Sequence, residues 1–213
     1  MRYKDDGIKD HVYSFVRQKV SDRLLFVKPP WFNQALSDMK RHEGFREFAY
    51  PDPLSKLWAQ FPELRNLWGF KPAKELLKGK KGYDLDDGAP WTNGYGFTHG
   101  VTPDSRISVI QADRKLEEEV IRHALELDDV TPQWKKYPVL VQTVLVNLIF
   151  NMGAKTLREF TTTLKLIDAG KYKEAGINLK KSLWYRQTKT RAVELTTRLI
   201  TGQVAPEHQY KEK

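Results

Sequence analysis

Residues 43–53 read Glu-Gly-Phe-Arg-Glu-Phe-Ala-Tyr-Pro-Asp-Pro, and the hydrophobic period changes inside this stretch. Upstream, Phe32, Leu36, Met39 and Glu43 follow one another at steps of four, three and four, which is one face of an α-helix. The spacing predicts a helix over 31–43. Gly44 is a natural C-cap, because a glycine takes left-handed backbone without a Cβ clash. Downstream, Phe48, Ala49 and Tyr50 alternate like a short strand and stop at Pro51-Asp52-Pro53, ordinary turn chemistry. A helix passing straight into a strand, with an acid at the junction, opens an α+β arrangement.

Further along, residues 45–104 are rich in glycine, proline and aromatics, and 91–97 (Trp-Thr-Asn-Gly-Tyr-Gly-Phe) reads as a second short strand. Between the strands, Trp58, Phe61, Leu64, Leu67, Trp68 and Phe70 are local anchors, with a short helix expected over 57–68. From Ser108 the chain is helical. Ser108 and Gln111 have capping-box spacing, and Ala112, Leu116, Val120, Ala124 and Leu127 continue an apolar stripe. Residues 139–152 form the central helix, stopped by Gly153. Helices follow over 158–169, 173–184 and 189–200, with Gly170 and Gly202 as breaks. Before the opening stretch, Val12, Phe15, Val16, Val20 and Leu24 lie at helical spacing, ended by Pro29 and Pro30. The expected organisation is a helical extension over 1–30, a main domain over 31–202 with a small β-containing lobe and a helical bundle, and a tail over 203–213.

Composition narrows the functional classes. The 213 residues are 40% hydrophobic and 12% aromatic, enough for a real core. The chain contains no cysteine, which removes disulfides, thiolate chemistry and Cys-based metal sites. Its five histidines make no ligand-like spacing, so neither metal nor cofactor is expected. The excess of 36 Lys and Arg over 27 Asp and Glu, net +9, favours polyanionic partners. The basic residues are dispersed, without the arm or repeat of a dedicated nucleic-acid binder. No run reaches the roughly 18 uninterrupted apolar residues of a membrane span, so no transmembrane segment is expected. Residues 1–10 carry both signs of charge and no apolar leader.

Glu43 is the first candidate for acid chemistry. Glycoside hydrolysis needs a proton for the departing oxygen and a carboxylate that activates water or stabilises a cation. Burial among apolar groups keeps such an acid protonated, and the apolar stripe ending at Glu43 predicts a side chain turned toward the interior or a cleft. Asp52 supplies a second carboxylate, and Thr92 stands in a strand whose Gly94 and Gly96 permit close approach. Each residue alone has an ordinary reading: a solvated helix-terminal Glu, a turn Asp, a β-branched strand residue.

Together they resemble the catalytic opening of the phage-type lysozymes, glycoside hydrolase family 24. Residues 91–96 resemble that family's Thr-bearing strand, and similarity resumes at Phe150-Asn151-Met152-Gly153, at Ala175 with Asn178-Leu179, and at Ser182-Leu183-Trp184-Tyr185-Arg186-Gln187-Thr188. The resemblance implies a lysozyme-like α+β fold with a cleft between its lobes. It implies Glu43 as acid, Asp52 as partner carboxylate and Thr92 holding the attacking water, with inversion at the sugar. It puts sugar contacts on Thr98, Phe150, Asn151, Thr163 and Asn178, with Trp184 as a neighbour. Three departures stand out. Residues 53–90 form an insertion that separates Asp52 from Thr92, and Asp86 lies before Thr92 at the family's shorter spacing, making it a rival. Asp52 is favoured because Ala49, Tyr50 and Pro53 around it also match. Phe97 replaces the family's histidine, with His99 two residues on, and Asn93 replaces an apolar residue. The insertion is either an inert surface excursion or a wall that stacks on sugars.

The activity implied is hydrolysis of the β-1,4 bond between N-acetylmuramic acid and N-acetylglucosamine in bacterial peptidoglycan, by a monomer. The protein would act as an endolysin, made in the host cytoplasm and released to the periplasm and wall, or as a virion enzyme at entry. The rivals are a catalytically inactive wall-binding or structural protein of the same fold, and a basic nucleic-acid binder.

Overall fold

The computed structural model describes residues 17–20, 23–26 and 28–211, the first two segments at backbone level. Its contacts divide the chain into two units, residues 1–39 with 117–213 and residues 40–116.

In the first unit, β1 (Arg17–Val20) and β2 (Arg23–Phe26) pair antiparallel, with Arg17 opposite Phe26 and Val20 opposite Arg23. This corrects the helix expected through Val20 and Leu24; Val12, Phe15 and Val16 lie outside the described residues. In the sequence, Ser21-Asp22 between these segments is a dipeptide of turn-forming residues, which interrupts a helical reading.

Helix α1 (Phe32–Glu43) starts one residue later than expected and buries Phe32, Ala35, Leu36, Asp38 and Met39. Gly44 closes it with φ +65 and an N–H donated to the Lys40 carbonyl at 3.1 Å. In the second unit, β3 (Arg46–Tyr50) pairs antiparallel with β4 (Thr92–Gly94), Tyr50 opposite Thr92 and Arg46 opposite Gly94. On β3, the Ala49 N–H donates to the Ser105 carbonyl, and the Ile107 N–H donates to the Glu47 carbonyl, so a third extended segment lies along β3. Strand β4 is shorter than the expected 91–97. Gly94 and Gly96 take φ +61 and +98, and Asn93 and Phe97 exchange backbone hydrogen bonds across the resulting turn.

Residues 53–90 are not a surface excursion. Helices α2 (Lys56–Gln60) and α3 (Ala73–Leu76), with turns at Pro62–Leu64 and Asp86–Gly88, bring Leu57, Phe61, Leu64, Trp68, Ala73 and Leu77 into one cluster with Ala49 and Trp91. That cluster is a hydrophobic core for the second unit, and its larger part comes from residues 53–90.

Helix α4 (Val109–Val130) begins at the expected cap: the Gln111 side-chain oxygen accepts from the Ser108 N–H at 3.0 Å, and the Gln111 N–H donates back to Ser108 Oγ at 3.3 Å. Helix α5 (Val139–Glu159) buries Val141 and the run from Thr143 to Ile149 in the first unit. By length and composition it could cross a membrane. Its buried Asn147 and the break at Gly153, where φ is 75 and ψ is 161, mark it as a core helix instead. Helices α6 (Thr161–Asp168), α7 (Tyr172–Leu179), α8 (Leu183–Thr188) and α9 (Thr190–Thr201) complete the unit. The single helix expected over 173–184 is two, because Ser182 accepts a hydrogen bond from the Tyr185 N–H and so caps a new helix. The same unit contains a buried charge cluster. Arg198 on α9, 1% exposed, donates to Asp38 of α1 at 2.8 Å and to Glu194 one turn earlier, while Asn147 donates to Asp38 at 3.3 Å. The tail segment returns to α1, where Gln34 donates to the His208 carbonyl and accepts from the Tyr210 N–H, both at 2.8 Å.

Candidate active site

Strand β3 carries the chemistry of the second unit. It runs out of the Gly44 turn toward Tyr50, and its pairing partner β4 begins at Thr92, directly opposite Tyr50. Residues directly opposite in an antiparallel pair present their side chains on one face. Thr92 is buried, 8% exposed. The half-buried Tyr50 phenol registers the charges around it. Burial raises its pKa most; Arg46 pulls it down, and the carboxylates of Glu43 and Asp52 push it up. Both acids therefore lie within electrostatic reach of one phenol, on the sheet that also holds Thr92.

The acids are held differently. Glu43 ends α1, and its Oε2 lies 3.9 Å from where a Cβ on Gly96 would stand, so the bare glycine leaves the carboxylate its room. Of the two placements expected for Glu43, interior or cleft, full burial is not seen: the residue is exposed, because the buried stripe of α1 ends at Met39, one turn earlier. Asp52 is half-buried and fixed by the turn after β3. Its Oδ1 accepts the Leu54 N–H at 2.7 Å, and its own N–H donates to the Gly88 carbonyl at 3.0 Å. Asp86 is exposed on the turn Asp86–Gly88, where its N–H donates to Asp84 Oδ1 at 3.0 Å. It is absent from the charges that act on Tyr50.

Past β4, Thr98 is exposed and its carbonyl accepts the Val101 N–H at 3.2 Å. Phe97 is buried, with Gly94 packed on its ring so closely that an added Cβ would stand 2.6 Å from it. Its edge-on contact with Tyr95, at 6.5 Å between centroids, makes it a packing residue rather than a substitute for a histidine. Tyr95 in turn donates to Asp113 at 2.9 Å.

The remaining expected sugar contacts belong to the first unit, where they form local pairs. Asn178 on α7 donates to the buried Thr163 hydroxyl on α6 at 2.9 Å. Trp184 on α8 donates its indole N–H to Asn151 on α5 at 2.7 Å. Phe150 meets the His123 ring of α4 edge-on, 5.3 Å between centroids. Burial and the adjacent Arg122 lower the His123 pKa, against the opposing pull of Glu126 and Glu119. Sequence reasoning missed Tyr50 and Arg46 as members of the site, although both stand inside the stretch that opened the reading. Among the described residues, no group of three His, Asp or Glu is placed to hold a metal ion.

Known proteins share these segments. The phage lysozyme family model matches residues 77–199, a span that holds Thr92 and the helices from α4 to α9 but begins after Glu43 and Asp52. A probable T4-type lysozyme of Dictyostelium discoideum is 41% identical over 58 residues, 27% of this chain and 34% of that protein. A second from the same organism is 30% identical over 69 residues, 32% of this chain and 41% of its own length. The pre-baseplate central spike protein of Enterobacteria phage T4 is 37% identical over 73 residues, 34% of this chain and 13% of that protein. The chain thus spans well under half the length of these relatives. With the family model covering more than half of its residues, the chain belongs to the phage lysozyme family.

Proposed function

We propose that this protein is a muramidase, hydrolysing the β-1,4 bond between N-acetylmuramic acid and N-acetylglucosamine in bacterial peptidoglycan during phage lysis of the host. The observation that carries the reading is Tyr50: its phenol is pushed up by both Glu43 and Asp52, and it stands opposite Thr92. Two carboxylates, one at the end of α1 and one in the turn after β3, with a hydroxyl on β4 supply the groups that glycoside hydrolysis requires. Glu43, exposed to an incoming glycan, gives its proton to the glycosidic oxygen as the bond from that oxygen to the anomeric carbon breaks. A water held by Asp52 and the Thr92 hydroxyl attacks that carbon from the opposite face, and its proton passes to Asp52. The product is inverted. Thr98, Phe150, Asn151, Thr163 and Asn178 contact the sugars, and Asp52 rather than Asp86 is the partner carboxylate. No cofactor or metal takes part, and a monomer suffices.

A second role for the same chemistry has a specific support. Similarity to a phage baseplate spike protein favours a virion-borne lysozyme that opens the wall at entry.

The test is turbidity loss of outer-membrane-permeabilised Gram-negative cells. Wild type is expected to lyse them, Glu43→Gln and Asp52→Asn to fail, and Asp86→Asn to lyse like wild type. A folded wild type without lysis, or lysis untouched by Glu43→Gln, would overturn the assignment in favour of a wall-binding role. Loss with Asp86→Asn and none with Asp52→Asn would exchange the carboxylates.

A further inference from the structure

The glycan-cleaving reading leaves one cation beside its carboxylates without a task. Arg46 begins β3, and its charge reaches Tyr50 strongly enough to oppose the push of Glu43 and Asp52. One of its N–H groups donates to the Phe45 carbonyl at 3.1 Å. Among the described residues no carboxylate forms an ion pair with it. A guanidinium carries five N–H donors in a planar fork, so the remaining donors are open.

The side chain is nevertheless held, and the insertion holds it. Gly69 takes φ +80 and presents bare backbone to the Arg46 stem; a Cβ there would stand 2.7 Å from Cδ and 2.9 Å from Cγ. The Gly69 carbonyl accepts the Phe48 N–H at 3.0 Å, which fixes that backbone against β3. The Phe70 ring lies under the guanidinium, its centroid 4.1 Å from Cζ. Stacking a cation on an aromatic face holds it without using its N–H donors. Phe70 is 55% exposed, so the stacked pair opens to solvent.

We propose that Arg46, seated by Gly69 and Phe70, is a substrate-binding residue that takes a carboxylate carried by the glycan. The proposal rests on the glycan-cleaving reading. Peptidoglycan strands carry carboxylates on the lactyl group of muramic acid and on the stem peptides, while their sugar rings are otherwise uncharged. The Asp52 carboxylate repels such a strand, and an adjacent guanidinium offsets that repulsion while offering two parallel N–H bonds. The insertion then acts as the seat of a binding residue.

The test measures binding of soluble glycan strands to the full chain carrying Glu43→Gln, with and without Arg46→Gln. The strands are prepared with intact stem peptides, with peptides removed so that the lactyl carboxylate remains, and with that carboxyl reduced to an alcohol. Arg46→Gln is expected to weaken binding of carboxylate-bearing strands by roughly tenfold, the scale of one charge-assisted hydrogen bond, and to leave the reduced strand unaffected. A loss confined to peptide-bearing strands assigns the carboxylate to the stem; a loss persisting after peptide removal assigns it to the lactyl group. Gly69→Ala and Phe70→Ala should act in the same direction and Arg46→Lys less. In the active chain KM should rise with kcat unchanged. Equal losses on all three strands, or no loss on any, would overturn the proposal. Absence of lysis by wild type would instead count against the cleavage reading, and the binding measurement would still decide Arg46.

Discussion

The Asp52 N–H donates to the Gly88 carbonyl across 3.0 Å, so the chain that leaves β3 comes back to the same point before entering β4. The intervening residues return with Leu57, Phe61, Leu64, Trp68, Ala73 and Leu77 packed on Ala49 and Trp91. The closure positions Asp52 and the packing supports the sheet beneath it. Trp68→Ala, at a residue only 2% exposed, is therefore expected to cost about 3–5 kcal/mol by loss of burial and the cavity left behind. Leu54→Ala, at a residue 96% exposed in the same segment, should change stability by no more than about 0.5 kcal/mol. Urea denaturation midpoints of the two variants check the contrast. Equal midpoints would return the segment to an inert excursion.

Asp38 and Arg198 make the second prediction. Both are almost fully buried, 0% and 1% exposed. Asp38→Ala should cost about 3–5 kcal/mol, because it weakens the pairing of a desolvated guanidinium. Replacing the three charges by apolar residues, Asp38→Leu and Glu194→Leu with Arg198→Met, should recover most of that loss, since neither carboxylate is then left without the guanidinium. Chemical denaturation of the single and triple variants tests this; a triple variant as unstable as the single would mean the charge cluster itself is strongly stabilising.

Gly176 lies inside α7, where alanine is intrinsically better by about 1 kcal/mol. Here packing opposes propensity. A Cβ would stand 2.8 Å from Ile200 Cγ1 and 2.9 Å from the Thr196 carbonyl on α9, and a backbone oxygen cannot turn aside. Gly176→Ala should thus destabilise by about 1–3 kcal/mol, visible as a lower melting temperature. A stabilised variant would show that α7 and α9 can separate freely.

Alkaline pH gives the fourth. Burial raises the Tyr137 pKa from 10.0 to about 12, helped by its hydrogen bond to Asp168. Because the folded state holds the proton more tightly, this contribution is fully present below pH 10 and is lost as pH rises toward about 12. Wild type should lose stability over that window, and Tyr137→Phe should lose less. Unfolding midpoints at the two ends of the window provide the comparison, and identical slopes would remove Tyr137 from the account.

The elements legible in the sequence were those written in local chemistry. The stripe Phe32, Leu36, Met39 with Gly44, the Ser108–Gln111 cap and the break at Gly153 each depend on residues within a turn or two of one another. The errors have the same root. Two glycines shortened the strand expected over 91–97, and Ser182 divided a helix whose apolar period ran on without interruption. What sequence could not supply was tertiary. The anchors Trp58, Phe61, Leu64 and Trp68 were visible as apolar residues, but nothing local says that they pack on Ala49 and Trp91. The buried stripe of α1 ends at Met39, so Glu43 lies exposed one turn past it. The pairing of Tyr50 with Thr92 spans the insertion, so no spacing rule reveals it.

The partnership of Asp38 with Arg198 joins residues 160 positions apart. A ribosome making this chain releases α1 long before α9 exists, and until then that carboxylate lacks the Arg198 guanidinium. A nascent chain interrupted before α9 would lack a closing element for the first unit and remain a substrate for proteases. Completion of that unit is thereby tied to the late synthesis of α9.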